Sequence, residues 1–273
     1  MPEGPEIRRE ADKVEKALQK GSVIEMYTTF DRLKAYENLL SGSKVNKVAT
    51  KGKAMLIHLS SGYTIYSHNQ LYGRWYVKNS YTYPKTNRKL RLALHNEKQS
   101  ALLYSASDVE IMPTEEIEDH PFVSRVGPDP LSEQVTVDMI AARSLDKKFR
   151  NRRFTSLLLD QHFIGGIGNY LRSEILFAAG IYPEQRPADL SEGQVRQVAE
   201  ALLLLMNRSY KYKGVTTDET VVEGAKAEGK TYSEYRHWVF NRGGQPCRVD
   251  GSEIIRFTAG SRRCYYCPTC QRK

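Results

Sequence analysis

Apolar residues recur at three- and four-residue spacing through Ile7, Ala11, Val14, Ala17 and Leu18, which predicts an amphipathic helix near the start of the chain. Pro5 suits its first turn, where a missing N–H costs nothing, and Gly21 is its expected stop. The period then changes to two. Leu90, Leu92 and Leu94 alternate with Arg91 and Ala93, and Ala54–Leu59 and Tyr63–Tyr66 flank a Ser61-Gly62 hairpin signal. Gly73–Val77 and Ala101–Tyr104 are similar runs, so residues 22–110 are expected to be mostly β, as a two-layer antiparallel sandwich. Val126-Gly127-Pro128-Asp129-Pro130 continues no element and marks a boundary.

Beyond that boundary the period is helical. Phe154, Leu157, Leu158 and Gln161 form one stretch and Tyr170–Ala179 another; Val195–Met206 is a third, with its apolar face on Val195, Val198, Leu202 and Leu205. A polar stretch after Lys213-Gly214, up to Gly229, reads as a linker, and the tail beyond about Arg236 as short β-like pieces. The class is α+β.

Length and charge add to this picture. A chain of 273 residues suggests two domains and a small third module. Its longest purely apolar run, Ala201–Met206, is far short of the roughly 20 residues of a membrane span. The opening MPEGPEIRRE is charged at once and has no apolar core of a secretory signal. All four cysteines fall in the last 27 residues, which points to a metal site in a cytoplasmic protein rather than to disulfides. The net charge is +9, and residues 236–273, with eight Lys/Arg against two Asp/Glu, hold most of that excess. Lys147, Lys148, Arg150, Arg152 and Arg153 form a second basic run. Two such patches beside a metal cluster favour a nucleic-acid partner over a merely solubilising surface.

Three motifs carry chemistry. The tail holds Cys247, Asp250, Cys267 and Cys270 at the positions of a C-x2-C…C-x2-C zinc site, with aspartate in place of the second cysteine. Either Asp250 or the remaining Cys264 could complete the set, and the harder oxygen of an aspartate would weaken the site. Gly165-Gly166-Ile167-Gly168-Asn169 lacks the Lys-Ser/Thr of a P-loop. It reads either as backbone N–H groups offered to a phosphate, with Asn169 adding a side-chain donor, or as a tight turn between helices. Pro2, once Met1 is removed, is a secondary amine with a pKa near 8. Such an amine attacks an aldehyde-like sugar carbon and yields an iminium ion, the electron sink that elimination needs. Glu3 and Glu6 lie beside it.

PEGPE at the start, KGK at 51–53, the Asn169 turn and the cysteine tail together resemble the DNA glycosylase/AP-lyase family of formamidopyrimidine-DNA glycosylase and endonuclease VIII. The resemblance spans essentially the whole chain, and YSHNQLYGRW (66–75) and LLYSASD (102–108) are more similar to its endonuclease VIII branch. It implies a helix-plus-β-sandwich catalytic domain (1–127), a helix–two-turns–helix domain (128–228), and a linker with a zinc-finger hairpin (229–273). By the same resemblance Pro2 is the nucleophile, Glu3 the general acid, Glu6 a supporting carboxylate and Lys53 the β-elimination lysine. Arg262 serves δ-elimination, and Arg125 and Asn169 bind phosphate. Gln70, Leu71 and Tyr72 fill the gap left by an extruded nucleotide, which costs a few kcal/mol of stacking to create.

The expected protein is a monomer acting on double-stranded DNA, with one structural zinc. It removes oxidised pyrimidines and cuts the strand by β- and δ-elimination. Two other readings stay open at this point: the same chemistry on oxidised purines, and a non-catalytic zinc-finger DNA-binding protein that makes no demand on Pro2.

Overall fold

The structure, a computed structural model, describes residues 2–19 and 24–272. The chain forms two compact units, Met1–Val126 and Gly127–Lys273.

The first unit opens with α1 (Gly4–Leu18), which buries Ile7, Ala11, Val14, Ala17 and Leu18 as the periodicity predicts. Gln19 caps its end, and the expected stop at Gly21 lies outside the described residues. Among the described residues eight strands follow: β1 (Glu25–Thr28), β2 (Val45–Lys51), β3 (Ala54–Leu59), β4 (Tyr63–His68), β5 (Arg74–Asn79), β6 (Leu90–His95), β7 (Gln99–Tyr104) and β8 (Asp108–Pro113). They pair antiparallel in two four-stranded sheets, β1-β6-β7-β5 and β2-β3-β4-β8. Val48, Met55, Ile57 and Ile65 of one sheet share a core with Trp75, Leu92, Leu94 and Leu103 of the other, and α1 adds Ala11, Val14 and Leu18. Leu90 leaves the expected face. A register shift between Leu90 and Leu92 turns it to the opposite side, against Leu102 and Tyr104. A short helix, α2 (Ala35–Leu40), interrupts the β region without a sequence period long enough to announce it.

The second unit holds α3 (Val137–Leu145), α4 (Phe154–Leu157), α5 (Asn169–Ala178), α6 (Glu192–Lys211), α7 (Glu219–Ala227), α8 (Tyr232–Tyr235) and the hairpin β9 (Ile255–Ala259) with β10 (Arg262–Tyr266). α6 packs on α3 and α5 through Val198, Leu202, Leu205 and Met206. The stretch read as a linker is a correction. Thr216 and Thr217 are buried, and Asp218 accepts the N–H of Val221 at 2.9 Å to cap α7. Its polar composition misled because α7 buries only Ala225. The first helical stretch is likewise shorter than expected: α4 is a single turn that ends before Gln161.

Candidate functional site

In the first unit, the Lys53 turn and the loop after β4 lie side by side at one end of the β2-β3-β4-β8 sheet, and α1 is tied to both β2 and that loop. Glu3 is the N-cap of α1, 4% exposed, and its N–H donates to Glu6 Oε2 at 3.0 Å. Pro2 precedes it, half-buried and outside any element. The helix is held across β2 on both sides of Val48, where Arg8 Nη2 donates to its carbonyl at 3.0 Å and Glu15 Oε1 accepts its N–H at 2.8 Å, and again at Asn46, whose carbonyl accepts from Gln19 Nε2 at 3.1 Å. β2 turns into β3 through Gly52 and Lys53, with Lys51 paired to Ala54 and Gly52 at φ 59°. Lys53 is only 8% exposed, so the turn holds its stem instead of releasing it to solvent.

Ala54 pairs with His68 at the end of β4, which brings the Lys53 turn beside the loop that follows. Burial holds the His68 imidazole below its ordinary value; the Lys53 ammonium adds to this and the Asp108 carboxylate opposes it. His68 Nδ1 accepts the N–H of Gln70 at 3.0 Å, and Ser107 Oγ donates to Gln70 Oε1 at 2.9 Å. Gln70 is left-handed, at φ 47°. The loop closes where the Gly73 N–H meets the Asn69 carbonyl at 2.7 Å. A Cβ on Gly73 would lie 2.6 Å from Asn69 backbone, so only glycine fits there. The loop presents Leu71 and Tyr72 to solvent at 53% and 65% exposure, a large apolar surface at its tip. Arg125, exposed at the end of a single 3-10 turn, donates from Nε to the Pro121 carbonyl at 2.6 Å.

In the second unit the first two amides of the glycine turn are already bonded to other parts of the protein. The Gly165 N–H donates to the Pro128 carbonyl at 2.9 Å and the Gly166 N–H to Gln161 Oε1 at 3.0 Å, so these two amides are not offered to a ligand. Asn169 opens α5 and donates from Nδ2 to the Arg263 carbonyl at 3.1 Å, and its Oδ1 accepts from Arg172. Arg172 Nη2 reaches the same Arg263 carbonyl at 2.7 Å, while Nη1 reaches the Thr155 carbonyl at 2.9 Å. Asn169 and Arg172 thus pin α5 to the strand residue that follows Arg262, itself exposed where β10 begins.

The tail gathers Cys247, Asp250, Cys267 and Cys270, with one donor atom from each within 4.8 Å of the others. Cys247 and Cys270 sulfurs are 3.9 Å apart. Two Zn–S bonds of about 2.3 Å at the tetrahedral angle require about 3.8 Å, so the donor set fits a tetrahedral ion. Asp250 is pre-oriented: Oδ1 accepts from the Ser252 N–H at 2.8 Å and from its hydroxyl, leaving Oδ2 facing Cys270 at 2.9 Å and Cys267 at 3.2 Å. Hydrogen bonds from Cys270 and Ser252 hold the Asp250 carboxyl well below its ordinary value. Cys264 is elsewhere, fully buried on β10 with its sulfur 3.9 Å from Ser173 Oγ of α5.

Residues 1–106 match the family model for the formamidopyrimidine-DNA glycosylase N-terminal domain, and residues 126–220 match the H2TH domain model of the same enzymes. The chain is 44% identical over 271 residues to endonuclease 8 of Klebsiella pneumoniae subsp. pneumoniae, covering 99% of this chain and all of that one. It is also 44% identical over 272 residues to endonuclease 8 of Salmonella agona, covering both completely. The chain belongs to the formamidopyrimidine-DNA glycosylase family. It is an enzyme of that class, a DNA glycosylase with AP-lyase activity in base excision repair. The fold agrees with that of Lactococcus lactis formamidopyrimidine-DNA glycosylase bound to AP-site DNA, at TM-score 0.79, 19% identity and coverage of 99% and 100%. It agrees equally with that protein's complex with oxidised-pyrimidine DNA, at TM-score 0.80 and 19% identity over the full length of both.

For a glycosylase of this family, several residues that hold the site escaped the sequence reading. Arg172 and Glu174 are fully buried inside α5. Glu174 Oε1 accepts the N–H groups of Val239 and Phe240 at 2.9 and 2.8 Å, and Oε2 that of Trp238 at 2.8 Å. Thr216 Oγ1 also donates to it. Burial pushes the carboxyl up, against the pull of these four donors. Two charges within the apolar run Tyr170–Ala179 were the available signal, because charge inside an all-round apolar helix must find internal partners. Glu10 and Asn69, which join α1 to the Leu71 loop, carried no such signal.

Proposed function

We propose that this glycosylase excises oxidised pyrimidines from double-stranded DNA and then cuts the strand by β- and δ-elimination. What supports this is the Lys53 turn lying beside the Leu71 loop and the tie of α1 to that loop, together with 44% identity to proteins named endonuclease 8.

In this reading the free Pro2 nitrogen attacks C1′ of the damaged nucleotide. The N–C1′ bond forms as the bond from C1′ to the base breaks, and the base leaves with its electron pair and takes up the proton that the proline nitrogen sheds. Glu3, buried at the helix start, is the acid that protonates O4′ as the C1′–O4′ bond breaks, and the nitrogen lone pair closes the C=N bond of an iminium. The iminium then draws electrons from C2′ once its proton is removed, and the 3′ phosphate departs; Lys53 serves that step. Elimination of the 5′ phosphate follows, with Arg262 at that phosphate. Glu6 holds the N-cap amide and so fixes the backbone next to Pro2. Arg125 and Asn169 contact phosphates, while Gln70, Leu71 and Tyr72 occupy the vacated stack. Cys247, Cys267, Cys270 and Asp250 hold one zinc, which supplies no chemistry to the reaction and fixes the loops on either side of β9 and β10.

The deciding experiment compares duplexes carrying 5-hydroxyuracil and 8-oxoguanine, with borohydride present to reduce the iminium. Preferential trapping on the pyrimidine lesion, with the adduct on the peptide starting at Pro2, is expected. Preference for 8-oxoguanine would assign oxidised purines instead. An adduct on a lysine would refute the Pro2 nucleophile.

A further inference from the structure

Glu10 projects from the second turn of α1 and accepts a hydrogen bond from Asn69 Nδ2 at 2.8 Å. The backbone N–H of Trp75 and the Arg74 guanidinium lie close enough to favour its ionised form. One carboxylate therefore bridges the first residue of the Leu71 loop and the strand that leaves it. The loop's other tethers reach it one residue at a time: Gln70 is held by His68 and Ser107, the Tyr72 carbonyl accepts from Arg88, and Gly73 closes back on Asn69. Asn69 is 4% exposed, so its amide has no access to water as a substitute partner.

We infer that Glu10 is a positioning residue that makes the Leu71 loop and the helix carrying the reacting terminus move as one body, so that filling the vacated stack and placing the Pro2 nitrogen at C1′ are coupled. This rests on the reading of Gln70–Tyr72 as the stack-filling loop. Without the bridge, the loop inserts in a range of positions relative to α1, and the extruded sugar is offered to the amine in a range of geometries. A misplacement of this kind lowers the rate on any substrate that must be extruded from a duplex. It does not touch the chemistry at the amine, so an abasic site in a single strand, which has no stack to fill, escapes the effect.

The test measures single-turnover cutting on a lesion-bearing duplex and on a single-stranded abasic oligonucleotide. Glu10→Ala is expected to slow the duplex reaction about tenfold, the value of one hydrogen-bonded contact, and to leave the single-stranded reaction unchanged. Glu10→Gln combined with Asn69→Asp reverses the donor and acceptor but keeps the bond and the acceptor for Trp75, and should recover the duplex rate. Glu10→Ala added to Leu71→Ala should cost little more than Leu71→Ala alone, because the bridge acts through the loop. Equal slowing on both substrates, additive effects with Leu71→Ala, or no recovery by the reversed pair would overturn the inference while leaving the loop's role standing. If Leu71→Ala itself leaves duplex cutting intact, the stack-filling reading fails, and the inference with it.

Discussion

The two units hold their functional loops by different means. In the first, strand register does it. The pairing of Lys51 with Ala54, and of Ala54 with His68, fixes where the Lys53 turn and the Leu71 loop emerge, and side chains such as Glu10 and His68 then orient the loop from that fixed base. In the second, buried side chains do it. Arg172 and Asn169 grip the Arg263 carbonyl from α5, and Glu174 gathers three consecutive amides at 238–240. Sheets carry their own hydrogen-bond template, so a turn at the end of two strands is already placed. A small β-hairpin packed on a helix has no such template and needs specific polar partners, at the cost of burying charge. In the first arrangement the fold tolerates loss of a side chain, which moves only the loop it orients; the second concentrates the risk to stability in a few residues.

The sharpest break between the units is in activity. An uncleaved N-terminal extension turns the Pro2 amine into an amide, whose lone pair is delocalised. It should abolish borohydride trapping and strand cutting while gel-shift binding persists, since the proposed phosphate contacts Arg125, Asn169 and Arg262 are unaltered. Cutting by the extended protein at the rate of the processed one would remove Pro2 from the mechanism.

Loss of a buried partner in the second unit should be next in size. Glu174→Gln puts an NH2 group against backbone N–H donors and leaves some of them unpaired in the interior. The expected loss is about 2–4 kcal/mol of stability, read as a lower urea midpoint. In the first unit, Glu15→Gln keeps an acceptor for Val48 and should shift that midpoint far less. Equal losses would erase the contrast drawn above.

Metal content gives the third test. Fresh protein should hold about one zinc, which Asp250→Ala loosens and Asp250→Cys tightens, because a thiolate is the softer ligand. Cys264→Ser should keep the zinc yet lower stability by about 1–3 kcal/mol, since it places a hydroxyl in a fully buried site. Loss of zinc on Cys264→Ser alone would contradict the ligand set.

Smallest is the effect of acid. Burial, with Arg236 adding to it, holds His237 well below its ordinary 6.5. The unfolded chain therefore takes up a proton below 6.5 that the native His237 refuses, and stability falls as pH drops through that point. Removing the imidazole should flatten the denaturation slope by about 1.4 kcal/mol per pH unit below 6.5. In the first unit His95 is also lowered by burial, with Glu25 opposing, so its contribution has the same sign. A slope unchanged by the loss of His237 would show that its imidazole is not held neutral.

Local pattern was enough for much of this. The period of α1, the hairpin at Ser61-Gly62, the break at 126–130 and the long α6 are set by nearby residues, because amphipathic spacing and turn chemistry act over a few positions. The chemistry of the tail was also legible, since cysteine spacing survives any packing. The choice between Asp250 and Cys264 was not. Both are within reach in sequence, and only the packing of β10 on α5 turns the Cys264 sulfur toward Ser173, away from the cluster. Leu90 lost its face to a register shift made with a distant strand. Residues 214–229 read as linker because α7 buries too little to show a period, while its cap and the buried Thr216 depend on α5 and α8 being folded around them. Glu10 and Asn69, 59 residues apart, look like any exposed helix acid and any loop amide until the sheet brings them to 2.8 Å. A sequence determines local conformation through neighbours, but the pairing of buried polar groups is decided by which distant segments the core brings together.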